Sequence, residues 1–395
     1  MKNLDAKCPV TFALVMHKTV LGLGPAPELE KFLRRHTKSQ IVYITHPLLF
    51  IKESYKLSST YIMQIDGIIL DRKIAYHWQL PEAILLVKDF IYTCVWIIGS
   101  KKKMDIYFGF DCLNAFTGLC LKFLGRVKIV IYYGVDYFPT RYSNPLLNYL
   151  YHLLDRICVK YCDETWNVSS QMKKARAEKG MKSDQYSRQY TVPMGIWFDE
   201  INRVSLDKID HFSMFYIGTL IDYMGVDMVI RALPEIIKKF PKTKLDIVGI
   251  GEDKDRLMSL SNRLRLNAHI RFHGMLTEGR KREMLFKRSA IGLALFNTKI
   301  LDDKVKNADP AKLKEYISYG MPIIVTDAIA HTREIRKARC GIVIPYEEGA
   351  FIQAVSKLFS DTKQYALYRS NALTYAHQFD WNSIFKRNIE RIMKL

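Results

Sequence analysis

Long apolar runs are missing from this chain. The longest, residues 83–98, is interrupted by Lys88 and Asp89 and falls short of the ~20 residues that a membrane-spanning helix needs, so no transmembrane segment is predicted. Residues 10–16 are apolar but short and follow Asp5 and Pro9, which suits a first strand better than a signal peptide. Paired cysteines are missing too. The seven cysteines, at 8, 94, 112, 120, 158, 162 and 340, are odd in number and include no CxxC pair, which points to a reduced, cytoplasmic compartment. His17, His46, His77, His152, His269, His273 and His331 are scattered without ligand spacing and read as surface or internally satisfied histidines, so no metal site is expected. No local signature of a Ser-His-Asp nucleophile occurs. A zinc finger, an RNA-recognition signature, a Walker A loop and a basic tail are all absent, which removes nucleic acid from the expected partners.

What is present is a large, evenly basic globular chain. Its 395 residues suggest two domains, and 49% hydrophobic with 25% charged content is that of folded proteins. The net charge of +20 favours anionic partners, and it is shared: residues 1–199 carry 27 basic and 17 acidic groups, the remainder 33 and 23. Strands and helices alternate as a doubly wound sheet requires. A strand at 10–15 leads to a loop with Gly22, Gly24 and Pro25, then a helix near 28–35 and a strand at 40–45. That loop leaves the carboxyl end of a first strand, where such sheets bind ligands, and its glycines let backbone approach one; a plain flexible turn is the alternative. Residues 55–79 show no clean period. A helix at 81–98, strands at 105–108 and 127–132 with a helix between, a long helix at 146–161 and a strand at 164–167 follow, with Ser169 or Ser170 capping the next helix. The second series opens with strands at 212–218 and 244–248, the latter followed directly by Gly249 and Gly251. A strand at 270–272 ends at His273, Gly274 and Met275.

The stretch DPAKLKEYISYGMPIIVT, at 309–326, describes one helix aimed at something negative. Asp309 suits an N-cap and Pro310 the first helical position. The free donors at Ala311 and Lys312, with the positive end of the helix dipole, make an anion site, and Lys312 and Lys314 are expected close by. Glu315, one turn beyond Ala311 on the same face, is placed to accept hydrogen bonds from a ribose. Gly320 ends the helix and a short buried strand follows. The bland alternative is a solvated helix feeding a sheet.

Lys312, Glu315, Tyr316, Gly320 and Pro322 fall on the P-x-K-x-x-E-Y-x-x-x-G-x-P pattern of retaining glycosyltransferases of family 4 and related enzymes, and the chain resembles that family most strongly in its C-terminal half. The resemblance implies an α/β GT-B fold. In it, two facing doubly wound, Rossmann-like domains bound a deep cleft: residues 1–196 for the acceptor, 197–380 for the nucleotide sugar, and 381–395 as a helix crossing back. It implies a donor diphosphate on the helix, ribose on Glu315, and the loops holding Gly249, Gly251, Gly274 and Met275 bordering the nucleotide. It also brings three departures: the family's first Glu is Asn307, and its Arg and Lys fall at Thr219 and Met224. Lys304, Lys306, Lys312 and Lys314 are the residues that can compensate. A glycosyltransferase follows, with a nucleoside diphosphate sugar as donor, a saccharide or lipid-linked acceptor and no cofactor. The alternatives are a non-catalytic partner of another transferase and a sugar-nucleotide epimerase.

Two further expectations concern the N-terminal half. Asp136, in YYGVDYF just past a strand, is the candidate base for an inverting transfer, or orients acceptor or donor if configuration is retained; a turn cap is the structural alternative. Lys101 to Lys103, together with Trp96, Tyr92 and Phe90, suit peripheral contact with an anionic membrane surface, against a core helix followed by a solvated turn.

Overall fold

The computed structural model describes residues 10–18, 24–48, 58–76, 78, 80–181, 188–276, 279–300, 309–329 and 331–395. They fall into two compact units, one of residues 1–194 with 384–395, the other of 195–383.

The first unit opens with β1 (Thr11–Lys18), α1 (Pro25–His36) and β2 (Gln40–Pro47). Almost every residue of β1 is buried, as a parallel strand covered on both faces must be. Residues 55–79, featureless in sequence, contain the antiparallel hairpin β3 (Ser59–Ile65) and β4 (Ile68–Ala75). Its two-residue turn is Asp66–Gly67, with φ of 50° and 81°. An Asp-Gly pair between apolar runs is the standard signal for that turn, because both positions need positive φ to match the strand twist. Then come α2 (Glu82–Gly99), β5 (Met104–Gly109), α3 (Cys112–Phe123), β6 (Val127–Gly134), α4 (Pro145–Tyr161), β7 (Glu164–Asn167), α5 (Ser170–Glu178) and β8 (Gln189–Thr191). Ser169, not Ser170, caps α5 by accepting the Gln171 N–H. The sheet runs β4-β3-β2-β1-β5-β6-β7-β8, parallel from β2 onward. Strand order reverses between β1 and β5, which leaves a crevice at their carboxyl ends.

The second unit repeats the scheme with β9 (Asp210–Ile217), α6 (Val226–Lys239), β10 (Lys244–Val248), α7 (Lys254–Arg263), β11 (Ile270–Phe272), α8 (Arg280–Arg288) and β12 (Ser289–Ala294). It continues through α9 (Ala311–Ser318), β13 (Ile323–Thr326), α10 (Thr332–Ala338), β14 (Gly341–Ile344), α11 (Glu348–Ser360) and α12 (Thr362–Ala376). Its sheet is parallel in the order β11-β10-β9-β12-β13-β14, so its reversal falls between β9 and β12. Two cores flank this sheet, one built on Val229, Leu233 and Ile236 of α6, the other on Leu313, Tyr316 and Ile317 of α9. The last helix, α13 (Trp381–Ile392), ends in the first unit. There Phe385 packs on Phe32 at 5.5 Å between ring centres, and Arg391 reaches the buried Glu164 at 2.7 Å. Among the described residues no helix is long and apolar enough to cross a membrane.

Candidate functional site

Each reversal of strand order gathers polar side chains within its own unit. In the second unit the gathering starts with α9. Pro310 takes the N-cap position and no side chain caps the helix, so its first N–H groups have no partner within the helix. Asp309 is not the N-cap. It is buried and paired with Lys314, with His331 at 3.1 Å, because Lys314 points to the opposite face of α9 from Lys312 and needs a carboxylate there. Lys314 is therefore withdrawn from the anion site. The helix ends as a Schellman turn: Gly320, at φ 75°, donates to Ile317 and Met321 donates to Tyr316.

Lys312 stays at the site. Its Nζ lies 4.7 Å from the Tyr216 ring centre, 5.1 Å from that of Phe296 and 3.8 Å from Met224 Sδ, at the carboxyl ends of β9 and β12. No carboxylate among the described residues pairs with it, and burial pushes its pKa down to about 8. Glu315 is half-buried, and its Oε1 accepts from Arg282 Nη2 at 2.6 Å. Its second oxygen faces no donor among the described residues. Arg282 was not singled out in the sequence, where it sits in an unremarkable basic run on α8. Ala311 is exposed at the first turn.

The glycine loops stand beside this helix. Gly249 has φ 152°, and a Cβ there would lie 1.9 Å from the Gly218 carbonyl oxygen, so the β9 and β10 loops approach at backbone distance only because Gly249 has no side chain. Gly249 N–H also donates to Gly274 at 2.8 Å, which ties in the β11 loop where Met275 is exposed. Gly251 lies against Leu220 in the same way. Thr219 is exposed, and its carbonyl accepts from the Tyr216 hydroxyl at 2.8 Å; Met224 packs half-buried on the core. Neither supplies positive charge. Asn307, Lys304, Lys306 and Gly22 lie outside the described residues, while Gly24 precedes α1 at φ 135° without a capping side chain.

In the first unit the reversal brings His17 at the end of β1 against Asp111, which follows β5. His17 Nδ1 is 2.7 Å from Asp111 and its Nε2 is 3.2 Å from Asp89. Asp89 also holds His46 at 3.1 Å and Lys88 at 2.8 Å, and Asp111 caps α3 through the Asn114 N–H. Burial opposes charge on His17, but Asp111 and Asp89 outweigh it and raise its pKa to about 10. Burial would likewise raise both carboxyl groups; bonding and charge from His17, with His46 for Asp89, instead hold them below the ordinary range. This cluster was not expected from the sequence as a site. His17, Asp89 and Asp111 are far apart in sequence, and only the topology joins them.

A small cavity of about 40 Å³ is lined by His17, Asp111, Asp136, Arg141 and Tyr142, among others. Asp136 is half-exposed and accepts from Arg141 Nη1 at 2.8 Å, so an arginine and not a turn N–H holds it. The outer face of α2 differs from expectation. Trp96 is buried and Tyr92 and Phe90 half-buried, while Ile84, Val87, Ile91 and Val95 face solvent and Lys101 to Lys103 are exposed beyond them. Among the described residues no group of His, Cys, Asp and Glu could hold a metal ion.

Two doubly wound parallel sheets, the second with a basic helix terminus at its switch point, define a GT-B protein, the α/β class expected above. Residues 198–374 match the family described as Glycosyl transferases group 1, which bears out the resemblance read in the sequence. Over 212 residues the chain is 27% identical to an uncharacterized glycosyltransferase of Methanocaldococcus jannaschii, covering 49% of this chain and 48% of that protein. It is 24% identical over 169 residues to a phosphatidyl-myo-inositol mannosyltransferase of Mycolicibacterium smegmatis, covering 42% and 41%. The chain thus spans about half the length, or less, of these curated relatives. Among solved structures, HepE of Anabaena with UDP superposes with a TM-score of 0.69 at 15% identity, covering 98% of this chain and 100% of that one. Sucrose-phosphate synthase of Thermosynechococcus elongatus superposes with 0.68 at 12%, covering 98% of each.

The His17 pair generates a test. Its folded pKa lies above the ordinary value of 6.5, so its contribution to stability is full below that value and is lost as pH rises toward about 10. His17→Gln is expected to cost about 3 kcal/mol in urea unfolding at low pH, since it strips a charge partner from buried Asp89. The gap between wild type and variant should narrow steadily as pH is raised. A gap that is constant with pH would show that His17 is neutral in the fold.

Proposed function

We propose that this chain is a glycosyltransferase that moves a sugar from a nucleoside diphosphate sugar to an acceptor hydroxyl. The observation that carries this is the β9–β12 switch point, where the uncapped N-terminus of α9, a cationic Lys312 with no carboxylate partner among the described residues and a half-free Glu315 converge. The helix terminus and Lys312 would stabilise the charge that builds on the diphosphate as the sugar leaves, and Glu315, oriented by Arg282, would take the ribose hydroxyls. These groups would serve in place of a divalent cation. HepE, crystallised with UDP and with UDP-glucose, supports a uridine nucleotide as the first donor to try. The relatives named phosphatidyl-myo-inositol mannosyltransferases support a glycolipid precursor as acceptor. A non-catalytic partner of another transferase is the second reading, favoured by the uncharged Thr219 and Met224.

Calorimetry with UDP tests the donor site. Lys312→Ala and Glu315→Ala should each weaken binding roughly ten- to hundredfold, the worth of a charge-assisted hydrogen bond, without unfolding the protein. Because Lys312 titrates near 8, its charge is present at neutral pH and lost above that value. Wild-type affinity should therefore fall as pH is raised past 8, whereas that of Lys312→Ala should follow only the remaining groups. Unchanged UDP affinity in both variants removes the phosphate-helix reading.

In this reading Asp136 would deprotonate or orient the acceptor. Asp136→Asn keeps its shape and a bond from Arg141 but has no basicity. Turnover of UDP-glucose in the presence of EDTA should drop about a hundred- to ten-thousandfold in that variant if Asp136 is a base, with UDP affinity unchanged. Wild-type turnover in the folded variant rules out the base role, and no donor turnover in the wild type supports the second reading.

Membrane association completes the proposal, through the exposed apolar face of α2 and the lysines beyond it. The protein should sediment with anionic vesicles at low salt and be released at high salt. Retention by neither anionic nor neutral vesicles ends that part of the reading.

A further inference from the structure

The first unit carries an apolar hollow that nothing above uses. Between α2, α3 and α4 lies a cavity of about 350 Å³, walled chiefly by Val87 and Phe90 of α2, Leu113 and Phe116 of α3, and Leu150 and Leu154 of α4. It adjoins the small polar cavity of Asp136 and His17, since Leu86, Cys112, Leu113, Tyr142 and Tyr151 line both. The combined space has carboxylates and an imidazolium at one end and only hydrocarbon at the other. It is also open: Val87 and Leu150 on its walls are 58% and 41% exposed, although both are residue types that a folded chain normally covers.

The occupant has to suit both ends. A saccharide alone would leave the apolar end wet, and an apolar helix would leave Asp136 without a hydroxyl to act on. An amphiphile with a hydroxylated head and one long hydrocarbon chain satisfies each end with the chemistry it needs. The outer face of α2 fits the same occupant. Ile84, Ile91 and Val95 form an exposed apolar stripe along the rim, with Lys101 to Lys103 beyond its end, so a chain passing out of an anionic lipid surface would meet apolar side chains along its path.

We propose that this hollow binds a lipid-linked acceptor, its hydrocarbon chain between α2, α3 and α4 and its hydroxylated head beside Asp136. The role of the head rests on the glycosyltransferase reading; the seat of the chain rests on the cavity alone.

Binding of n-alkyl glucosides from hexyl to decyl, below micelle formation, tests it by calorimetry on the full chain. Affinity should rise by up to roughly fourfold for each added methylene, the worth of burying that group. Leu150→Trp fills the hollow from its α4 wall and should flatten that rise, and Val87→Trp should do so from the α2 wall in case the first variant fails to fold. Circular dichroism and a cooperative urea transition confirm that each variant is folded, and UDP affinity shows that the other unit is untouched. Three results overturn the proposal. They are an affinity independent of chain length in the wild type, a rise of equal steepness in both folded tryptophan variants, and a dimer in sedimentation that the variants split, which would make a second copy the occupant. Failure of the glycosyltransferase reading would appear separately, as absent UDP binding or donor turnover with the alkyl series intact.

Discussion

The reversal of strand order in each parallel sheet is the constraint on which the sites depend. Parallel strands need crossover helices, and where successive crossovers leave in opposite directions no helix covers the strand ends. The β9–β12 reversal puts Lys312 there, and the β1–β5 reversal puts His17 and Asp111 there. Close approach of the loops then follows from residue size. Gly218 and Gly249 touch through backbone atoms, which brings the ends of β9, β10 and β11 within one hydrogen-bonded layer.

Two lysines on α9 show how position on a helix decides function. Lys312 and Lys314 are two residues apart and so project about 200° apart around the axis. One has its stem against Tyr216 and Phe296 and a lowered pKa, with no carboxylate beside it among the described residues. The other is buried against Phe379 and tied to Asp309. Burial lowers the pKa of both, but Asp309 offsets part of that effect for Lys314. An unpaired buried cation is costly unless something anionic arrives, whereas a paired one is already satisfied. In the reading proposed above, that energetic difference is what would make Lys312 the ligand-facing group.

Most of the fold was legible because it depends on local pattern. The buried strands, the amphipathic helices, the glycine that ends α9 and the glycines after β10 all follow from spacing and from backbone conformations that other residues resist. The β3–β4 hairpin is signalled in the sequence by Asp66–Gly67 alone, since neither strand alternates cleanly. Asp309 departs from the expected cap because a residue type favoured at N-caps is claimed by a buried lysine one turn away, and tertiary charge pairing outweighs a cap. The equal placement of Lys312 and Lys314 at the anion site could have been avoided from helical period alone. Arg282 and the His17–Asp89–Asp111 cluster could not have been found this way. Their partners lie on other elements, and no local pattern encodes a contact between distant strand ends.

The two units solve opposite electrostatic problems with the same topology. At the β9–β12 ends stand Lys312 and the carboxylate Glu315, which is engaged on one oxygen by Arg282. At the β1–β5 ends Asp89 and Asp111 share one imidazolium, and Asp136 stands nearby with Arg141. A diphosphate gains from a helix terminus and a cation, while a hydroxyl that must give up a proton gains from carboxylates and gains nothing from bare cations. In the glycosyltransferase reading each unit would suit its own half of a group transfer, and the apolar hollow beside Asp136 would add to the acceptor half a place for hydrocarbon that the donor half does not share.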